Sequence, residues 1–64
     1  MSFNKLDSLY DELQNIIYDS QSDVTKFVEG NNSAGTRVRK AMQNVKALAQ
    51  EVRIEVQNQK NAQF

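Results

Sequence analysis

The chain has 64 residues, eight basic and eight acidic, with no His, Cys, Pro or Trp. That length allows one domain. A monomer of this size buries only about 60% of the surface its unfolded chain exposes. With no disulfide or thiolate metal site to staple it, the remaining route to stability is oligomerisation. Without His the commonest metal ligand and the commonest general base are gone. The paired acids Asp7/Asp11 and Asp19/Asp23 fall on a helical outer face with no pocket implied. The constellation that catalysis needs is missing, so the expectation is no enzyme, no metal, no cofactor and no small-molecule substrate. No apolar run approaches the roughly 18 residues of a membrane span. The opening MSFNKLD puts an acid where a signal peptide has its apolar core. A cytoplasmic protein with no membrane partner is expected.

The neutral total hides a division. Residues 1–30 hold two basic and six acidic side chains, and residues 31–64 hold six basic and two acidic ones. Either the halves attract each other in a hairpin or the basic half faces a polyanion.

The first half reads as a helix of about 4–29. Phe3, Leu6, Tyr10, Leu13, Ile17, Ser20, Val24 and Phe27 alternate steps of three and four, the spacing of an apolar seam. Leu9 and Ile16 widen the stripe on one side and Val28 extends it. A stripe wider than a two-position seam suits a bundle better than a two-stranded coil. Asn4 or Ser2 suits the N-cap. Asp7 and Asp11 suit the positive end of the helix dipole. Gly30 tolerates the left-handed conformation that ends a helix.

A turn at 30–32 follows, then a second helix of about 33–60 that carries an internal repeat. Cut at each apolar a position it reads VRKAMQN, VKALAQE, VRIEVQN and QKNAQF. Val38, Val45 and Val52 hold one seam row, with Ala41 and Leu48 at d and Met42, Ala49 and Val56 beside them. Arg39, Lys46, Arg53 and Lys60 recur every seven residues on an outer position. The short turn makes the helices antiparallel neighbours. Two helices cannot enclose so wide a stripe. The expected fold is therefore all-α: an antiparallel two-helix hairpin with coiled-coil-like seams, one domain over 1–64, dimerising into a four-helix bundle. The expected oligomer core is Phe3, Leu6, Leu9, Tyr10, Leu13, Ile16, Ile17, Val24, Phe27, Val38, Met42, Val45, Leu48, Val52 and Val56.

The stretch GNNSAGTRVRK, residues 30–40, admits two readings. Asn31, Asn32 and Ser33 are all good N-caps. Gly35 inside the first turns costs about 1 kcal/mol against alanine, which implies either packing beside Phe27 or close approach by a ligand. A helix N-terminus followed by Arg37, Arg39 and Lys40 suits an anion, but no nucleotide-binding loop pattern is present. The Arg39–Lys46–Arg53–Lys60 row spans about 30 Å at the helical rise. Such a row is usually a solvated face; with Arg37 and Lys40 at its start it suits a nucleic-acid backbone. Lys46 and Arg53 have Gln50, Glu51 and Glu55 as competing neighbours. Of the two tyrosines, Tyr10 falls on the seam and Tyr18 off it.

On these residues the chain resembles the bacterial linker-histone-like family, named for the chlamydial histone-like chromatin proteins. Gly30, Asn31, Ala34, Gly35, Thr36, Arg37, Val38, Arg39 and Lys40 carry the likeness: a Gly-Asn turn, small residues, RVR, then an alternating apolar and basic helix. LAQEVR, residues 48–53, fits the short, tail-less Bacteroidota-type form, and LDSLYDEL is looser. Asn32 and Ser33 depart from the Lys and Ala expected there. The resemblance implies a nucleoid-associated, cytoplasmic protein that binds double-stranded DNA at its phosphates without sequence choice, as a homodimer or higher oligomer. The implied contacts are Arg37, Arg39 and Lys40 first, then Lys46, Arg53 and Lys60. The alternatives are a pure oligomerisation or scaffold module, and an RNA-binding helical-hairpin dimer.

Overall fold

The structure, a computed structural model, describes residues 4–62. Phe3 and Ser2, expected in the seam and at the cap, lie outside them. Helix α1 runs Lys5–Val28 and helix α2 runs Asn32–Ala62. They pack against each other as a hairpin.

Each end of the hairpin is fixed by local chemistry. Asn4 stands in extended backbone before α1, and its side chain accepts from the Leu6 N–H at 2.9 Å. This satisfies one of the donors a helix start leaves orphaned. At the other end of α1, the Gly30 N–H reaches the Phe27 carbonyl at 3.0 Å and the Asn31 N–H reaches the Lys26 carbonyl at 2.9 Å. That pair of bonds is a Schellman closure, which needs a left-handed residue; Gly30 supplies it with φ 107. Of the three candidate caps for α2, Asn31 is the one used. Its side-chain oxygen accepts from the Ala34 N–H at 3.2 Å and from the Ser33 hydroxyl at 2.8 Å.

The seam inside the hairpin differs from the row read off the sequence. Leu6, Leu9, Leu13, Ile16, Ser20 and Asp23 of α1 face Ala34, Val38, Ala41, Val45, Leu48, Val52, Glu55 and Gln59 of α2. Leu9 and Leu48 are buried and Ala34 is fully so. Tyr10, Ile17 and Val24, expected in the seam, stand outside it at 55%, 42% and 45% exposure. Rows 9/16 and 10/17 are adjacent on the helix surface and both apolar, so periodicity alone does not choose between them.

The two flanks of the seam have opposite character. One carries Tyr10, Ile17 and Val24 of α1 with Gly35, Met42, Ala49 and Val56 of α2, apolar throughout. A shallow groove along it is lined by Leu6, Tyr10, Val52 and Val56, with Asp7, Asp11 and Gln14 at its polar edge. The other carries Lys5, Glu12, Asp19 and Lys26 with Arg37, Asn44, Glu51 and Asn58, polar throughout.

Polar contacts punctuate the seam. The buried Ser20 hydroxyl donates to the Ile17 carbonyl at 2.8 Å. At the open end Asn4 and Gln59 exchange two side-chain hydrogen bonds, at 2.8 and 3.3 Å, and Gln59 also donates to Glu55 at 3.1 Å. Gln59, where the apolar repeat fades, thus ties the start of α1 to the end of α2.

Gly35 is explained by packing. A Cβ built on it falls 2.6 and 2.7 Å from ring carbons of Phe27. The ring occupies the place where a side chain would be. Replacing Gly35 by Ala should therefore fail to deliver the roughly 1 kcal/mol that alanine gains over glycine in a helix, because the ring must swing away. In a Phe27→Ala background the same substitution should recover that gain. A double-mutant cycle read by thermal unfolding checks it; equal effects in both backgrounds contradict the contact. Asn31→Ala should cost about 1 kcal/mol through loss of the α2 cap, read by denaturant midpoint.

Candidate nucleic-acid interface

The basic residues of the second half all lie on α2 and all are exposed. They divide by helical phase. Arg39, Lys46, Arg53 and Lys60 recur at seven-residue intervals, which keeps them on one line of the helix. That line runs along the outer edge of the apolar flank, since each residue stands one turn from a flank residue: Arg39 and Lys46 line a hollow with Met42, and Lys46 and Arg53 line another with Ala49. Lys40 lies about 100° further round the helix from Arg39 and belongs to the opposite edge.

Arg37 stands apart. Its Nε donates to Asp23 Oδ1 at 2.9 Å, with the carboxylate the more buried partner. It is the one ion pair among the described residues. The pairing is a product of the hairpin: Asp23 stands about one turn before the end of α1 and Arg37 follows the start of α2, so the antiparallel register brings them level. Placing the turn at Gly30 and counting back along both helices would have found it. The contact occupies the group that the sequence ranked with Arg39 and Lys40.

The expected competition for the rest of the row is absent among the described residues. Glu55 accepts from Gln59 rather than from a base. The acidic and basic halves therefore meet in a single ion pair, and most of the charge division stays unspent. Arg39, Lys40, Lys46, Arg53 and Lys60 present their cations to solvent over about 30 Å of α2.

The start of α2 offers less than its sequence suggests. Asn31 already occupies the Ala34 N–H, and Phe27 covers Gly35. A hollow beside it is lined by Phe27, Asn32, Gly35, Thr36, Val38 and Arg39, with Arg39 its one charged residue. Tyr18 is exposed, as expected of a residue off the seam; Tyr10, expected in the core, is exposed on the apolar flank. Among the described residues no group of three His, Cys, Asp or Glu side chains could hold a metal ion, and no helix is long and apolar enough to cross a membrane.

A family model, that of histone H1-like protein Hc1, matches residues 7–62. The chain belongs to this histone H1-like family. The match runs from the first turn of α1 to the last residue of α2, so it covers nearly all of the hairpin. No curated protein and no solved structure matches. The exposed row on α2 and the Asp23-bound Arg37 lie on different sides of that helix.

Since the Asp23–Arg37 pair is partly exposed, solvent screening keeps its worth small. Asp23→Asn should lower stability by less than about 1 kcal/mol. Thermal unfolding measures this, and a much larger loss would show that Asp23 supports the seam in another way.

Proposed function

We propose that this histone H1-like protein is a nucleoid-associated, cytoplasmic DNA-binding protein without catalytic activity. It binds double-stranded DNA at the phosphates, without sequence choice, as a homodimer packed through the apolar flank into a four-helix bundle. The observation that carries the reading is the row Arg39–Lys46–Arg53–Lys60, exposed and unspent on the acidic helix, on a chain of a histone-like family. A straight line of flexible cations on a rigid helix meets phosphates wherever the duplex places them, and phosphate contacts position a protein without reading bases. The row's length of about 30 Å is close to one DNA turn of about 34–36 Å. Along this line Arg39 is the first contact and Lys46, Arg53 and Lys60 the second, whereas Lys40, ranked with Arg39 by the sequence, stands on the opposite edge of α2. Arg37 joins only when it leaves Asp23.

Binding of this kind is driven by release of condensed counterions, and the logarithm of affinity falls by about 0.9 per neutralised phosphate for each unit of log salt. Because the whole chain is neutral, the acidic helix opposes the duplex at long range and affinity should be modest. Anisotropy titration of a labelled duplex at low salt tests the reading. The combined variant Arg39→Ala, Lys46→Ala, Arg53→Ala should bind weakly and with a salt slope shallower by about one unit per cation removed. Unrelated duplex sequences should bind alike. No binding by the unmodified chain at tens of micromolar protein, or unchanged binding by the triple variant, sinks the proposal.

Two rivals are settled by the same experiment. The apolar flank by itself favours a scaffold that only self-associates, and that reading requires the duplex to go unbound. An RNA-binding hairpin requires structured RNA to displace the duplex. Asp23→Ala, by releasing Arg37, should raise duplex affinity and steepen the salt slope; an unchanged slope would mean that Arg37 does not reach the DNA.

A further inference from the structure

The described chain measures 52 × 22 × 11 Å, so it is one helix thick. One layer of helices has no inside, and a stable domain packs at least two layers around its core. The consequence is visible in area. The surface is 5379 Å², whereas a compact monomer of 7.3 kDa exposes only about 4,200 Å² by mass scaling. The excess is on the scale of the roughly 800 Å² per partner that a standard interface covers. Both faces of the layer are open, but only the flank of Tyr10, Ile17, Val24, Met42, Ala49 and Val56 is apolar, while its counterpart is polar.

We infer that a second copy of this chain covers that flank with its two-fold axis parallel to the helices. Helix α1 of each copy then lies over α2 of the other, and the two Gly30 turns share one end. The inference rests on the self-association proposed above and adds its symmetry. Two hairpins stacked face to face admit two such axes, one along the helices and one across them. The charges bordering the flank choose between these.

On α2 the border is Arg39, Lys46, Arg53 and Lys60; on α1 it is Asp7, Gln14, Gln21 and Val28. An axis across the helices lays α2 antiparallel on α2. Four cations of one copy then line up against four of the other, with no acid on either border between them. Like charges facing each other in this way oppose association.

An axis along the helices leaves every residue at its own height. Asp7, which lines the groove with Val52 and Val56, then comes between Arg53 and Lys60 of the second copy. Gln14 and Gln21 come level with Lys46 and Arg39, and Val28 meets the start of the other α2. Each cationic border faces an acid and two amides instead of its own image. One end of the bundle also gains two copies of Arg37, Arg39 and Lys40, so this end, rather than both, carries the densest positive charge.

The chain contains no cysteine, so single spin labels can be placed freely. Asn32→Cys near the turn and Asn61→Cys near the open end are both exposed. Electron-electron distance measurements on each labelled protein, with molar mass from light scattering on the same sample, test the arrangement. The expected result is a two-chain particle in which both labels give separations of roughly 20 Å, about two helix spacings. A two-chain particle with both separations near the 52 Å length overturns the shared-end symmetry but leaves self-association standing. A one-chain particle overturns self-association itself. Ile17→Asp should split the particle with its helical circular dichroism retained, whereas Ile54→Asp, exposed but off the flank, should not. The reverse pattern overturns the choice of face.

Discussion

The structure depends on one geometric constraint: two helices in a single layer cannot bury a stripe three rows wide. Each helix lends the other the two rows that meet in the seam, and the third row on each side has nothing to lie against. Even inside the seam the burial is shallow. Among the described residues Leu9, Leu48, Ala34 and Ser20 are the buried ones, and no large side chain is wholly enclosed. Hydrophobic burial scales with area removed from water, so a hairpin of this shape draws little stability from its own seam. The rest of its design follows from that weakness.

Where burial is weak, polar devices carry the specificity. The Schellman closure at Gly30, the Asn31 cap and the Asn4–Gln59 exchange fix the two ends, and between them the Asp23–Arg37 pair fixes register. Each is worth little by itself, because exposed hydrogen bonds and ion pairs contribute on the order of 1 kcal/mol or less. Their value lies in excluding alternatives. A heptad seam of Val, Ala and Leu tolerates sliding by one repeat, and a slipped hairpin would break the contacts at both ends together. Phe27 on Gly35 does the same work sterically, since no other position of α2 near the turn lacks a side chain.

The charge distribution has a similar double reading. Six acids in the first half and six bases in the second suggest halves made to attract each other. Within the described hairpin they meet in one ion pair. Four of the six bases instead border the apolar flank, where they are open to a polyanion and, in the proposed dimer, to Asp7, Gln14 and Gln21 of a second copy. The same row thus serves the proposed DNA contact and, in the proposed dimer, limits how two copies can stack. Exposed cations keep both roles because neither requires desolvating them completely.

Much of this was legible in the chain itself. The absence of His and Cys, the two heptad runs, the Gly30 stop and the cluster of capping residues are local properties, and local chemistry determines helices, their ends and the turn between them. Membership in a histone-like family was legible for the same reason, since its motif spans the turn and the start of α2. Which rows face inward was not. Tyr10, Ile17 and Val24 satisfy the same periodicity as Leu9 and Ile16, and only the direction in which the turn launches α2 selects one row for the seam and leaves the other outside. The fate of Arg37 and the purpose of Gly35 were equally hidden, because each depends on a residue of the other helix. Composition and spacing settle what each helix is; the handedness of one glycine turn, which no single helix contains, settles which faces they spend on each other.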